Sequence, residues 1–97
     1  MNELMTAAFL EIPKEQVGAL HFPDSDVLTS DADRKQRKAA LERAMTLGNL
    51  EHIKFKIYFE DHQGKRFVDT TIWGVTDERI ILKQGLTIPT HRIISIH

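Results

Sequence analysis

The chain predicts a mainly β fold with N-terminal helices: a five-stranded, strongly bent antiparallel small barrel preceded by an α-helix. Three observations carry that expectation. A helical pattern over Asp31–Leu47 stops at a glycine, and from there the hydrophobic period falls from that of a helix to that of a strand. Runs rich in β-branched and aromatic residues follow at His52–Asp61, Lys65–Val75, Arg79–Lys83, Leu86–Ile88 and Arg92–His97. Turn residues separate them at Asp61-His62-Gln63-Gly64, Thr76-Asp77-Glu78, Gln84-Gly85 and Pro89-Thr90-His91.

Taken in order, residues 1–30 read as a helical and extended arm, and residues 31–97 as the helix plus barrel, the two making one structural domain. Leu4, Met5, Ala8, Phe9 and Ile12 recur at helical spacing, with Asn2 placed to cap them and Pro13 to end or kink the helix. A second helical turn is expected from Pro13, with Glu15 in its first turn and Gly18 closing it. His21-Phe22-Pro23-Asp24-Ser25-Asp26 reads as a turn or extended linker, because the proline keeps Phe22 extended. Met5, Phe9, Leu10, Val17, Leu20 and Phe22 need cover, either from the barrel or by docking on another subunit.

Ser30 or Asp31 caps the main helix, and Asp33 adds a favourable first-turn charge. Leu41, Ala44, Met45 and Gly48 form one stripe, whereas Asp33 to Lys38 is polar all round and is expected to face solvent or a partner. Gly48, beside Asn49, is the expected stop. In the first strand Ile53, Phe55, Ile57 and Phe59 point one way, and His52, Lys54, Lys56, Tyr58 and Glu60 the other. In the second, Trp73 shares a face with Phe67 and Val75 and is expected to pack, and Gly74 marks a bulge or bend. The predicted core is Leu41, Ile53, Phe55, Ile57, Phe59, Ile72, Ile80, Leu82 and Ile93.

Composition narrows the function classes. At 97 residues, 41% apolar and 28% charged, the chain is one ordinary globular domain with no room for a separate catalytic one. It has no cysteine, so disulfides, thiolate metal sites and cysteine nucleophiles are excluded. No apolar run reaches the roughly 18 residues of a membrane span, and Glu3 sits where a signal peptide needs positive charge. A cytoplasmic protein without membrane contact is expected. The five histidines, His21, His52, His62, His91 and His97, fall in no ligand spacing, and no nucleophile motif or glycine-rich phosphate loop occurs. Neither an enzyme nor a cofactor or metal site is expected.

Charge is unevenly placed. Residues 1–30 carry Glu3, Glu11, Glu15, Asp24 and Asp26 against Lys14 alone, while the rest carries an excess of bases. Arg34, Lys35, Arg37, Lys38 and Arg43 all fall in the main helix. A basic helix can meet phosphate, and an acidic arm can fold back and mask it.

From Asp31 to His97 the order of elements resembles the Sm-like (Hfq-like) small β-barrel superfamily. The resemblance is carried by the helix, the strand Lys56-Ile57-Tyr58-Phe59 leading to Gly64, a long bent strand, an Ile-Ile-Leu-Lys strand and a final Ile-rich pair. Thr90-His91-Arg92-Ile93-Ile94-Ser95 looks like the segment that lines the RNA pore there, with His91 matching its histidine and Thr90 standing where it has lysine. Thr76-Asp77-Glu78 replaces the eukaryotic Asp and Asn loop signature. A second resemblance, of Gly74–Leu82, Gly85, Ile88-Pro89 and Arg92-Ile93 to bacterial pleckstrin-homology-like domains, would require seven strands and a closing C-terminal helix.

Two functional classes follow. The first is a non-enzymatic protein-interaction or assembly module, a homo-oligomer joined along a strand edge at Arg92, Ile94 and Ile96 or through residues 1–22. The alternative is an RNA-binding or other nucleic-acid-binding regulator. It would place Arg34, Lys35, Arg37 and Lys38 on phosphates and use Lys54, Lys56, Tyr58 and His91 on the barrel surface.

Overall fold

The computed structural model describes residues 8–97, so Asn2, Leu4 and Met5 of the expected first helix lie outside the described residues. The elements are β1 (Leu10–Glu11), α1 (Asp31–Glu51), β2 (Phe55–Glu60), β3 (Lys65–Thr70), β4 (Ile72–Val75), β5 (Arg79–Leu82), β6 (Thr87–Pro89) and β7 (Ile93–Ile96), with short 3-10 turns at Lys14–Ala19, Lys83–Gly85 and Thr90–Arg92. The protein is therefore a small α+β molecule, rich in strands, with one α-helix among the described residues.

Its strands form two sheets, in the orders β1-β3-β2-β7 and β4-β5-β6. The expected long second strand is interrupted at Thr71, where the chain passes from the first sheet to the second. A register shift between Ile72 and Gly74, at the glycine where a bulge was expected, bends it further. Neither sheet closes into a barrel, which corrects the closed architecture read from the sequence. The connection responsible is the 3-10 turn Thr90–Arg92. It separates β6 from β7, which then pair with β5 and β2 instead of with each other.

Side chains from both sheets meet in one core. Leu41, Ile57, Phe59, Ile72, Ile80, Leu82 and Ile93 are buried as expected, joined by Val68, Ile88, Ala44, Ile12 and Val17. Phe55 is half-buried against this cluster. Ile53 is not a core residue: β2 begins only at Phe55, after a left-handed C-cap at His52, so the strand alternation does not extend back to it. Trp73 is also exposed, because the bulge around it turns its side chain outward.

The arm packs on its own molecule. β1 runs parallel to β3, with Leu10 opposite Arg66, so Ala8–Ile12 is not helical as the spacing had suggested. Phe9 is buried with its ring edge-on to Tyr58, Val17 and Ile12 enter the core, and the Phe22 ring lies 5.9 Å from that of Phe59. Over the described residues this removes the version of assembly in which the arm docks on a neighbouring subunit.

α1 starts as expected, with the Ser30 hydroxyl accepting from the Asp33 amide at 3.2 Å. It does not stop at Gly48 but runs on to Glu51. Gly48 serves a close approach instead of a stop: a Cβ there would lie 2.5 Å from the Ile72 carbonyl oxygen. That contact sets α1 against β4 and leaves a groove between the other flank of the helix and β7.

Candidate functional site

Two neighbouring features stand out, a free strand edge and a charged tether, and both are set by where α1 lies. β7 pairs with β2 on one side only. Lys56 and His97 exchange both backbone hydrogen bonds at 2.9 Å, and Ile57 faces Ile96 one step along. The alternation of an antiparallel ladder therefore turns the N–H and C=O of Ile96 away from β2. The side chain of Ile96 lies on the core side with that of Ile57. Ile94 is the extra residue of a bulge opposite Tyr58 and Phe59.

Alongside this edge runs the groove, about 340 Å³, whose apolar walls are Leu28, Ala40, Leu41, Ile94 and Ile96, with Asp33, Gln36, Arg37 and Ser95 adding polar lining. It continues into a smaller hollow that also touches Ala40 and Ile96 and reaches Leu47 and Phe55. In the other sheet β6 is a terminal strand, as β4 is at its opposite side and β1 at the far side of the first sheet. Ile88 faces Ile80 within the ladder, so Thr87 and Pro89 turn their outward backbone groups away from β5. Pro89 contributes a carbonyl there and no donor.

The charged tether lies at the start of α1. Arg37 Nη1 and Nη2 each donate to one carboxylate oxygen of Asp26 at 2.8 Å, and Nη1 also donates to the Ile93 carbonyl at 3.0 Å. Only 7% of the Arg37 side chain is exposed. Arg34 adds an ion pair to Asp26 at 3.4 Å, and its Nε donates to the Leu28 carbonyl at 2.9 Å. The hydrogen bond from Arg37, with help from the Leu28 amide and the two positive charges, outweighs partial burial and lowers the Asp26 pKa to about 2. Asp26 is thus a carboxylate throughout the neutral range. Two further contacts fasten this segment: His91 Nε2 donates to the Pro23 carbonyl at 2.9 Å, and Arg92 Nη1 donates to the Ser25 carbonyl at 2.8 Å.

The residues singled out from sequence are scattered by this arrangement. Arg34, Lys35, Lys38, Lys54 and Lys56 are exposed. Arg37 and His91 turn inward to the segment Pro23–Leu28. Tyr58 is half-buried, stacks on Phe67 at 5.0 Å between ring centres and meets Phe9 in a T-shaped pair, so Phe67 takes the place a stacked base would need on one face. Arg92 is buried, with Nε on the Glu60 carbonyl at 2.9 Å, and ties the arm to the sheet from a position outside β7. Ile94 and Ile96 do lie together on the edge.

The reading that the acidic arm can fold back on the basic helix is realised at Asp26, whereas Ala40 and Leu28 as groove walls were missed. For Asp26 a signal existed in the opposed charges of arm and helix. For Ala40 there was none, since alanine in a helix reports propensity and not contact. Among the described residues no cluster of three or more His, Asp or Glu side chains could hold a metal ion, and no helix is long and apolar enough to cross a membrane. Comparison with protein-family models, curated proteins and solved structures returns no match to this chain.

Proposed function

We propose that this protein is a non-enzymatic assembly module of Sm-like architecture, cytoplasmic, whose copies join edge to edge into a homo-oligomer. The observation that carries the reading is that two of the four terminal strands, β6 and β7, turn backbone groups away from their single ladder partners. β6 ends one sheet and β7 the other, and a mainly apolar groove that also takes in Asp33, Gln36 and Arg37 runs beside β7. A second copy of the chain fits this place, because it carries a short edge of its own, β6, that can extend the β7 ladder. Pairing two different edges of identical chains is a head-to-tail contact, which closes into a ring when the rotation between copies allows it. The order of elements, a helix followed by strands with the second one bent between two sheets, supports the Sm-like reading, and rings built by such pairing belong to that resemblance.

Short edges covered by a neighbour are a recognised way to manage unpaired backbone groups. The groove adds apolar burial at roughly 25 cal/mol per Å², which backbone pairing alone does not supply. Sedimentation equilibrium tests the proposal. Wild-type protein is expected to sediment as a multimer, and Ile94→Lys, which places a charge in the groove beside the edge, as a folded monomer. A wild-type protein that stays monomeric at high concentration overturns it.

A further inference from the structure

Arg34, Lys38, Leu41 and Glu42 fall on one face of α1 by helical spacing, and that face lines a cleft of about 260 Å³. Val75, Thr76 and Asp77, at the turn after β4, and Arg37 and Thr90 complete the lining. We propose that this cleft binds a free α-amino acid with an aliphatic side chain. Its carboxylate lies at Lys38, its ammonium at Asp77, and its side chain toward Leu41 and Val75.

Charge decides the class of ligand. Lys38, Glu42 and Asp77 are exposed, and among the described residues none of them forms an ion pair. Lys38 precedes Glu42 by four positions, which is the weaker order for a helical ion pair. Arg34 and Arg37 are already held by Asp26. A plain anion is repelled by Glu42 and Asp77, and a plain cation by Lys38 and the two arginines. A small molecule that carries both charges suits the cleft better than either.

Buried donors point the same way. The Arg37 side chain is only 7% exposed, and its Nε–H has no partner. The Thr90 hydroxyl is also buried without one, although both residues line the cleft. A ligand carboxylate supplies the acceptors that these two groups lack. The acidic side is held in place beforehand. Thr76 Oγ1 accepts from the amides of Glu78 and Arg79 at 3.3 and 3.0 Å, and the Thr90 amide donates to the Glu78 carbonyl at 2.9 Å. The backbone that carries Asp77 is thus ordered before an ammonium arrives, which lowers the cost of binding. Size sets the last limit. Small-molecule sites usually run from about 300 Å³ upward, so a cleft just below that takes a single amino acid and nothing much larger.

Isothermal titration calorimetry with L-valine tests the proposal, which does not rest on assembly through β7. One molecule is expected to bind per chain, about tenfold or more tightly than isovalerate, which lacks the ammonium, or isobutylamine, which lacks the carboxylate, because either analogue leaves a charged contact unmade. D-valine is expected to bind more weakly, since cation, anion and apolar lining together fix three of the four groups on the α-carbon. Lys38→Gln and Asp77→Asn alter exposed side chains, and each should weaken L-valine by about tenfold. Asp77→Asn should at the same time tighten isovalerate, because a repelling charge is gone. A folded protein with no saturable binding of L-valine overturns the proposal. Isovalerate bound as tightly as L-valine also overturns it, by making the cleft an anion site. Binding unchanged in both variants does so too, by placing the ligand elsewhere.

Discussion

Over Leu41–Gly48, α1 lies on β4 through buried apolar side chains, whereas over Asp31–Lys38 the same helix is tied down by charge. In the first half Leu41 and Ala44 are buried, and Gly48 lets the helix backbone come against Ile72. In the second half nothing apolar is buried, and the contact is Arg37 and Arg34 on Asp26. The difference teaches what each half is suited to do. Apolar burial is insensitive to salt and pH and fixes the helix in place. Ion pairs respond to salt and to protonation, most of all the exposed Arg34 contact and less the nearly buried Arg37 fork.

Truncating Leu41→Ala is the largest expected break in this comparison. The side chain is fully buried between helix and sheet, so the loss should be about 2–5 kcal/mol by urea denaturation. A cost below about 1 kcal/mol would mean that the apolar half does not anchor the helix.

Gly48→Ala separates helix propensity from packing. In a free helix the change gains about 1 kcal/mol. Here the new Cβ meets the backbone oxygen of Ile72, which cannot swing aside as a flexible side chain could. A net destabilisation of about 1–3 kcal/mol is expected from overpacking. A rise in stability would show that α1 and β4 are not in the close contact described.

The smallest effect sharpens the charged half. The Asp26 pKa is depressed to about 2 from 3.8, so its carboxylate stabilises the fold above the unfolded value and that contribution is lost as pH falls through about 2. Allowing for solvent screening, the contribution is about 1–2 kcal/mol. The stability difference between wild type and Asp26→Asn should hold constant from neutral pH to about 5, then shrink steadily toward pH 2. A difference that does not change with pH would place the energy of the tether elsewhere.

What the sequence by itself determined is everything that depends on near neighbours along the chain. The cap at Ser30, the strand alternation through Ile57 and Phe59, the turn at Gly64 and the bulge beside Gly74 were all legible, because each rests on a local period or a single residue's backbone preference. What only the tertiary structure decided is what those elements meet. Gly48 looked like a stop, because a glycine's local meaning is a broken helix and its close approach to Ile72 is not written nearby. Trp73 looked like core until the bulge turned it outward. The five strands looked like a closed barrel, because closure depends on which edges meet and not on the strands themselves. Arg37 and Asp26, eleven positions apart with a loop and a helix start between them, looked like a phosphate contact and a linker residue. Opposite charge has no period and acts through space, so only the folded chain shows that each is the other's partner.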